Sequence, residues 1–172
     1  MEIRLATLAD LNACLALDDS FETEYVWQLD EHRDATSVSS VFRLTRLPRA
    51  MKVTGVNSRD GIAENHRRGG KLWVYDDGGG VRGFIDATFE EWNQSARISH
   101  LAVARAHRRK GIGRRLLHTV LNWAEQKKLD VVLSDTSTKA HPAICFYQKL
   151  GFSFCGFNDR LYPNRDIAML FA

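Results

Sequence analysis

The feature that most constrains this chain is Arg108-Arg109-Lys110-Gly111-Ile112-Gly113-Arg114, a basic run with two glycines set between a strand pattern and a helix pattern. Before it, residues 97–103 read as an extended segment. After it, Ile112, Leu116, Val120 and Ala124 recur at helical spacing, and Leu117 and Leu121 widen the stripe into one apolar face. Glycine lets the backbone turn tightly and come close to a ligand. The first turn of a helix leaves N–H groups unpaired and carries a partial positive charge. Together they make a site for phosphate, to which the arginines and the lysine add full charges. A basic, solvated helix start would show the same residues, so the loop alone does not separate the two.

Spacing narrows the ligand. A nucleotide P-loop needs Gly, four residues, then Gly-Lys-Ser/Thr, and the chain has no such run. A dinucleotide fingerprint needs a third glycine where Leu116 stands. A second segment adds context. Residues 140–152 hold Pro142, suited to a first helical turn, and Gly151, suited to the position just past a helix end. Residues 130–134 supply a strand between this helix and the glycine loop. Tyr147 has helical spacing with Ile144 and Leu150, as a core aromatic would, and its hydroxyl is free to serve a second role.

Arg108 through Gly113 resembles the Arg/Gln-x-x-Gly-x-Gly/Ala signature of the GNAT N-acetyltransferases, and Tyr147 with Gly151-Phe152 resembles their Tyr-x-x-x-Gly-Phe segment. The streptothricin acetyltransferase branch is resembled further at Trp92-Asn93-Gln94, His107 to Arg114, Pro142-Ala143-Ile144, residues 151–157 and Leu161-Tyr162, and faintly at residues 19–23. The resemblance implies an α/β fold, a mixed, mostly antiparallel sheet flanked by helices. It implies acetyl-CoA as co-substrate, with no metal, and transfer of its acetyl group to a small-molecule amine by direct attack. The pantetheine arm would lie along the backbone of Leu101, Ala102 and Val103, where an N–H would also polarise the thioester carbonyl. The pyrophosphate would sit on Arg108, Arg109, Lys110, Gly111, Ile112, Gly113 and Arg114. Tyr147 would protonate the departing thiolate, and Phe21, Trp92 and Asp135 would face the acceptor.

The proton acceptor departs from the family. Ser99 and His100 stand where relatives carry an acidic pair. His100 is the candidate base, since an unperturbed imidazole is mostly neutral at pH 7. A hydrogen-bonded groove histidine is the plainer reading, and Asp86, Glu90, Glu91 and Asp135 are its rivals. Ala140 replaces an asparagine that contacts the cofactor in relatives, with Thr136, Ser137 or Thr138 as substitutes. Arg59, His66, Arg67, Arg68 and Lys71 make the mid-chain segment basic where relatives are acidic, which disfavours a polycation and favours a smaller or less charged amine. A non-catalytic acetyl-CoA sensor, or an enzyme acting on a protein or peptide amine, are the alternative readings.

The bulk properties suit one domain over residues 1–172, with 44% hydrophobic and 26% charged residues. A net charge of +3, without aromatics interleaved among the basic runs, argues against nucleic acid as partner. No apolar run approaches the length of a membrane span, and the N-terminus is unlike a signal peptide, so a cytoplasmic protein is expected. Cys14, Cys145 and Cys155 lack metal-site spacing and read as reduced, buried thiols. Homodimers are frequent among such enzymes, but the sequence locates no interface. Strands are expected at residues 3–5, 72–75 and 81–89, and a helix capped by Thr7 over residues 8–17. Residues 25–47 lean towards β structure and stop at Pro48, and 56–71 read as a flexible loop with little to bury. The expected order is β-α-β-β-β-α-β-α-β-β.

Overall fold

Runs of apolar residues buried on both faces, as in Leu72-Trp73-Val74-Tyr75 and Phe84-Ile85, build the centre of one sheet. In a computed structural model, which describes residues 2–54, 60–67 and 69–172, its strands are β1 (Glu2–Leu5), β4 (Lys71–Asp76), β5 (Val81–Glu90), β6 (Ser95–Val103), β7 (Val131–Ser137), β8 (Phe154–Asn158) and β9 (Ala168–Phe171). They lie in the order β1-β4-β5-β6-β7-β9-β8, and every neighbouring pair is antiparallel except β6 and β7. The helices are α1 (Leu8–Ala16), α2 (Asp60–Arg67), α3 (Ile112–Gln126) and α4 (His141–Lys149). The sheet carries an apolar cluster on each face. Ile85, Ala87 and Ile98 pack with Ile112, Leu116, Leu117 and Val120 of α3 and with Ile144 and Tyr147 of α4. Leu72, Val74, Phe84 and Ala102 pack with Cys14 of α1 and Ile62 of α2.

Local chemistry fixes the first turn. The N–H and the hydroxyl of Thr7 both donate to Asp10 Oδ2, at 2.7 and 2.8 Å, and Arg4 donates to the same carboxylate and to Asp76. The Arg4 guanidinium and the Thr7 N–H hold the Asp10 carboxyl well below the usual carboxylate range. That ties β1, α1 and β4 together at one corner.

The structure departs from the sequence reading in three ways. The β-leaning stretch is a hairpin, β2 (Phe21–Arg33) and β3 (Val38–Val53), which runs through Pro48 instead of stopping there. Thr23 pairs with Met51 and Tyr25 with Arg46, so residues 47–50 bulge opposite Glu24, and a bulge tolerates a residue that lacks an N–H. The expected loop contains α2, because Ile62 is buried at 0% exposure against the sheet. Asn57, Ser58, Arg59 and Arg68 of that loop lie outside the described residues. Neither the hairpin nor α2 was in the expected element order. The third departure concerns the thiols. Cys14 is buried, but Cys145 is half-buried and Cys155, on the edge strand β8, is exposed. Among the described residues no helix is long and apolar enough to cross a membrane.

Candidate active site

A fork in the sheet organises the site. β6 and β7 pair side by side from Ser95 and Val131 to Ile98 and Ser134. Past that point β7 follows β9, pairing through Ser137 and Ala168, while β6 stays with β5 as far as Val103 and Gly83. Leu101, Ala102 and Val103 therefore have no partner in β7. Their backbone groups on that side, apart from the Val103 carbonyl that Arg108 takes, line the opening, a place where an extended ligand can pair as a strand would.

The glycine loop stands at the open end. Gly111 is the N-cap of α3 with φ +79°, a left-handed conformation that glycine adopts without strain. It offers no side chain to the first-turn N–H groups, which stay open to an anion. Arg109, Lys110 and Arg114 are exposed around them, and Ile112 is buried in the core beneath, so only its backbone faces the loop. A Cβ on Gly113 would lie 3.4 Å from Phe146 and 3.8 Å from Val103, which places that glycine in the trough between α3, α4 and the end of β6.

Arg108 points elsewhere. Its guanidinium donates to the carbonyls of Val103 at 2.9 Å, Ser20 at 2.7 Å and Asp18 at 3.0 Å. Its charge is spent holding the loop to the chain just before Phe21, which is half-buried there. Truncation to Ala should cost about 2 kcal/mol, because hydrogen bonds to a charged group and three carbonyl partners go together. Urea unfolding of Arg108→Ala measures this, and an unchanged midpoint would show the contacts to be idle.

Tyr147 sits at the vertex of the fork. It is 5% exposed, stacked on Phe171 with centroids 6.1 Å apart and flanked by Phe146 and Phe152. Burial pushes its phenol up to about 12, with the Asp135 charge adding to the shift and the Ser134 hydroxyl opposing it. Asp135 is fully engaged: Arg97 donates to one oxygen at 2.7 Å and the Tyr162 hydroxyl to the other at 2.6 Å. Burial and that carboxylate raise the Tyr162 phenol well above its ordinary range.

Across β5 and β6, Asp86 and His100 are cross-strand neighbours. Asp86 Oδ2 accepts from Asn65 Nδ2 of α2 at 2.7 Å and lies 3.2 Å from His100 Nδ1. The register shifts beside Asp86, and Ser99 is the extra residue on β6. Trp92 is not part of this gathering. It is 84% exposed in a short turn, Glu91–Asn93, ahead of Ser95 and so beyond the closed end of the fork, where Glu90 and Glu91 also lie. Ala140 is the buried N-cap of α4, and the Ser137 hydroxyl near it is taken by Asp166. Arg97, Tyr162 and Asn65 were not singled out for roles in the sequence. Arg97 and Tyr162 are far apart in the chain from Asp135, and only the sheet brings them to it. Among the described residues no group of three His, Cys, Asp or Glu side chains gathers as metal ligands would.

Comparison with known proteins gives this geometry relatives. A family model described as an acetyltransferase (GNAT) domain matches residues 68–154. The streptothricin acetyltransferase of Streptomyces lavendulae is 30% identical over 162 residues, covering 94% of this chain and 86% of the relative. Among solved structures, a nourseothricin acetyltransferase superposes with a TM-score of 0.83 at 24% identity, over 99% of this chain and 95% of that one. A Bacillus anthracis protein described as a streptothricin acetyltransferase, solved with acetyl coenzyme A, superposes with a TM-score of 0.78 at 21% identity, over 99% and 97%. At those identities the two structures speak for the fold.

Proposed function

The chain belongs to the GNAT acetyltransferases and is an acetyl-CoA-dependent N-acetyltransferase, and on that premise we propose that residues 1–172 act as one domain that acetylates a primary amine of a small molecule of the streptothricin or aminoglycoside-like type. The observation that carries the proposal is the parting of β6 from β7 beside the glycine-capped start of α3, with the Tyr147 phenol at the vertex. The acceptor class comes from the likeness to the Streptomyces lavendulae enzyme along most of both chains.

The residues present fit acetyl-CoA. The trough beside Gly113 has no Cβ to fill it, and the exposed Arg109, Lys110 and Arg114 surround open helix N–H groups. Bound there, acetyl-CoA supplies an activated thioester. Leu101, Ala102 and Val103 hold the pantetheine arm through backbone groups, and an N–H among them polarises the acyl oxygen. The loop from Arg108 to Arg114 holds the pyrophosphate, Gly111, Ile112 and Gly113 through backbone and Arg108 by bracing the loop. His100 accepts the proton that the amine loses as its nitrogen bonds to the acyl carbon. Tyr147, a phenol protonated at neutral pH and kept so to higher pH by its burial, gives a proton to the sulfur as the C–S bond breaks. Solvent then restores both groups. Phe21 stands on the acceptor side, and Asp135, by fixing Arg97 and Tyr162, shapes it.

Free-thiol release from acetyl-CoA with streptothricin, against a control without acceptor, is the test. Release well above the control is expected. Release only with a smaller, less charged amine would overturn the streptothricin reading and keep the transferase.

A further inference from the structure

Asp86 is 0% exposed, in a strand whose neighbouring buried side chains are Phe84, Ile85 and Ala87. An apolar residue would suit such a place better, because a buried carboxylate is costly unless its hydrogen bonds are made. Here they are half made. Oδ2 takes the Asn65 amide and faces His100, while Oδ1 is buried without a partner among the described residues. The arrangement costs stability, and its evident consequence falls on His100.

An ionised carboxylate only accepts, so the nitrogen facing it must carry the hydrogen. That assigns the proton of His100 to Nδ1 and leaves a lone pair on Nε2. Nε2 is buried and has no partner among the described residues, so its lone pair can take a proton arriving directly or through one water. Two further features hold the ring. The bulge at Ser99 turns His100 to the α2 side of the sheet, whereas simple alternation would put it on the same side as Ile98. Gly61 of α2 covers the ring, since a Cβ there would lie 3.7 Å from its Cε1.

We propose that Asp86 is a positioning residue for acetyl transfer: braced by Asn65, it fixes the tautomer and direction of His100 and stabilises the imidazolium formed when the amine proton reaches Nε2. The proposal rests on the reading of His100 as the base.

Two readouts on the full chain test it. Nitrogen-15 NMR of labelled histidines should show His100 protonated at Nδ1, and Asp86→Ala should shift it towards Nε2. In thiol-release assays with streptothricin, Asp86→Ala and His100→Ala should each lower kcat by about tenfold or more, leave the acetyl-CoA KM within about twofold, and lose nothing further when combined. Asp86→Asn keeps the shape, and should keep the melting temperature and still lose about tenfold, which guards against misfolding. An unchanged tautomer in Asp86→Ala, or losses that add in the double variant, would overturn the role of Asp86. Full activity in His100→Ala would instead overturn the base itself. Should streptothricin not be acetylated, the tautomer decides alone.

Discussion

Tyr147→Phe is expected to lower kcat about a hundredfold while leaving the acetyl-CoA KM and the melting temperature nearly unchanged. The phenyl ring keeps the stack on Phe171 and the edge contacts with Phe146 and Phe152, so the core is preserved. Losing the hydroxyl removes the group that donates to the leaving sulfur. General acids contribute about 10²–10⁴, and the lower end is expected because a thiol titrates near 8.5 and its anion leaves tolerably well unaided. Burial raises the phenol, so it stays in the donating form, and a group held at about 12 does not lose its proton between about pH 7 and 9. The deficit should therefore be level across that span. Steady-state thiol release by both proteins measures it. Equal kcat values would leave Tyr147 as a core aromatic and no more.

What the sequence made legible is local. Gly111, Gly113, Pro142, Tyr147 and Gly151 act within one turn of chain, and the two helices they mark lie where the spacing puts them. What it hid depends on distant partners. α2 has the composition of a loop and is held by the burial of Ile62 against a strand pair that comes later in the chain. Pro48 stops a strand by its own chemistry, yet a bulge absorbs it because the partner strand offers Glu24 alone at that point. The direction of Arg108 is another such case: a basic residue in a phosphate loop is expected to face phosphate, but carbonyls about ninety residues earlier in the chain claim it. The Asp86–His100 contact needs the register of β5 on β6 and the extra residue in β6, neither of which periodicity can supply.

The two glycines of the loop should respond to alanine with opposite effects on stability and the same effect on binding. Gly111→Ala forces an L-residue to φ +79°, a strain of about 1–2 kcal/mol even though nothing crowds the new methyl. Gly113 is the second residue of α3 and does not need a left-handed backbone, so alanine there should stabilise the helix by about 0.5 kcal/mol. Its methyl, however, projects into the trough between Phe146 and Val103. Each change is expected to raise the acetyl-CoA KM about tenfold, and the pair about a hundredfold, since about 1.4 kcal/mol of lost binding is one factor of ten. Gly113→Ala is the sharper test: a chain that unfolds at higher urea yet binds its donor more weakly cannot owe the weakness to a damaged fold. Titration of acetyl-CoA into both single variants and the double variant, alongside urea unfolding, separates the two effects. Unchanged donor affinity in all three would remove the pyrophosphate from this loop.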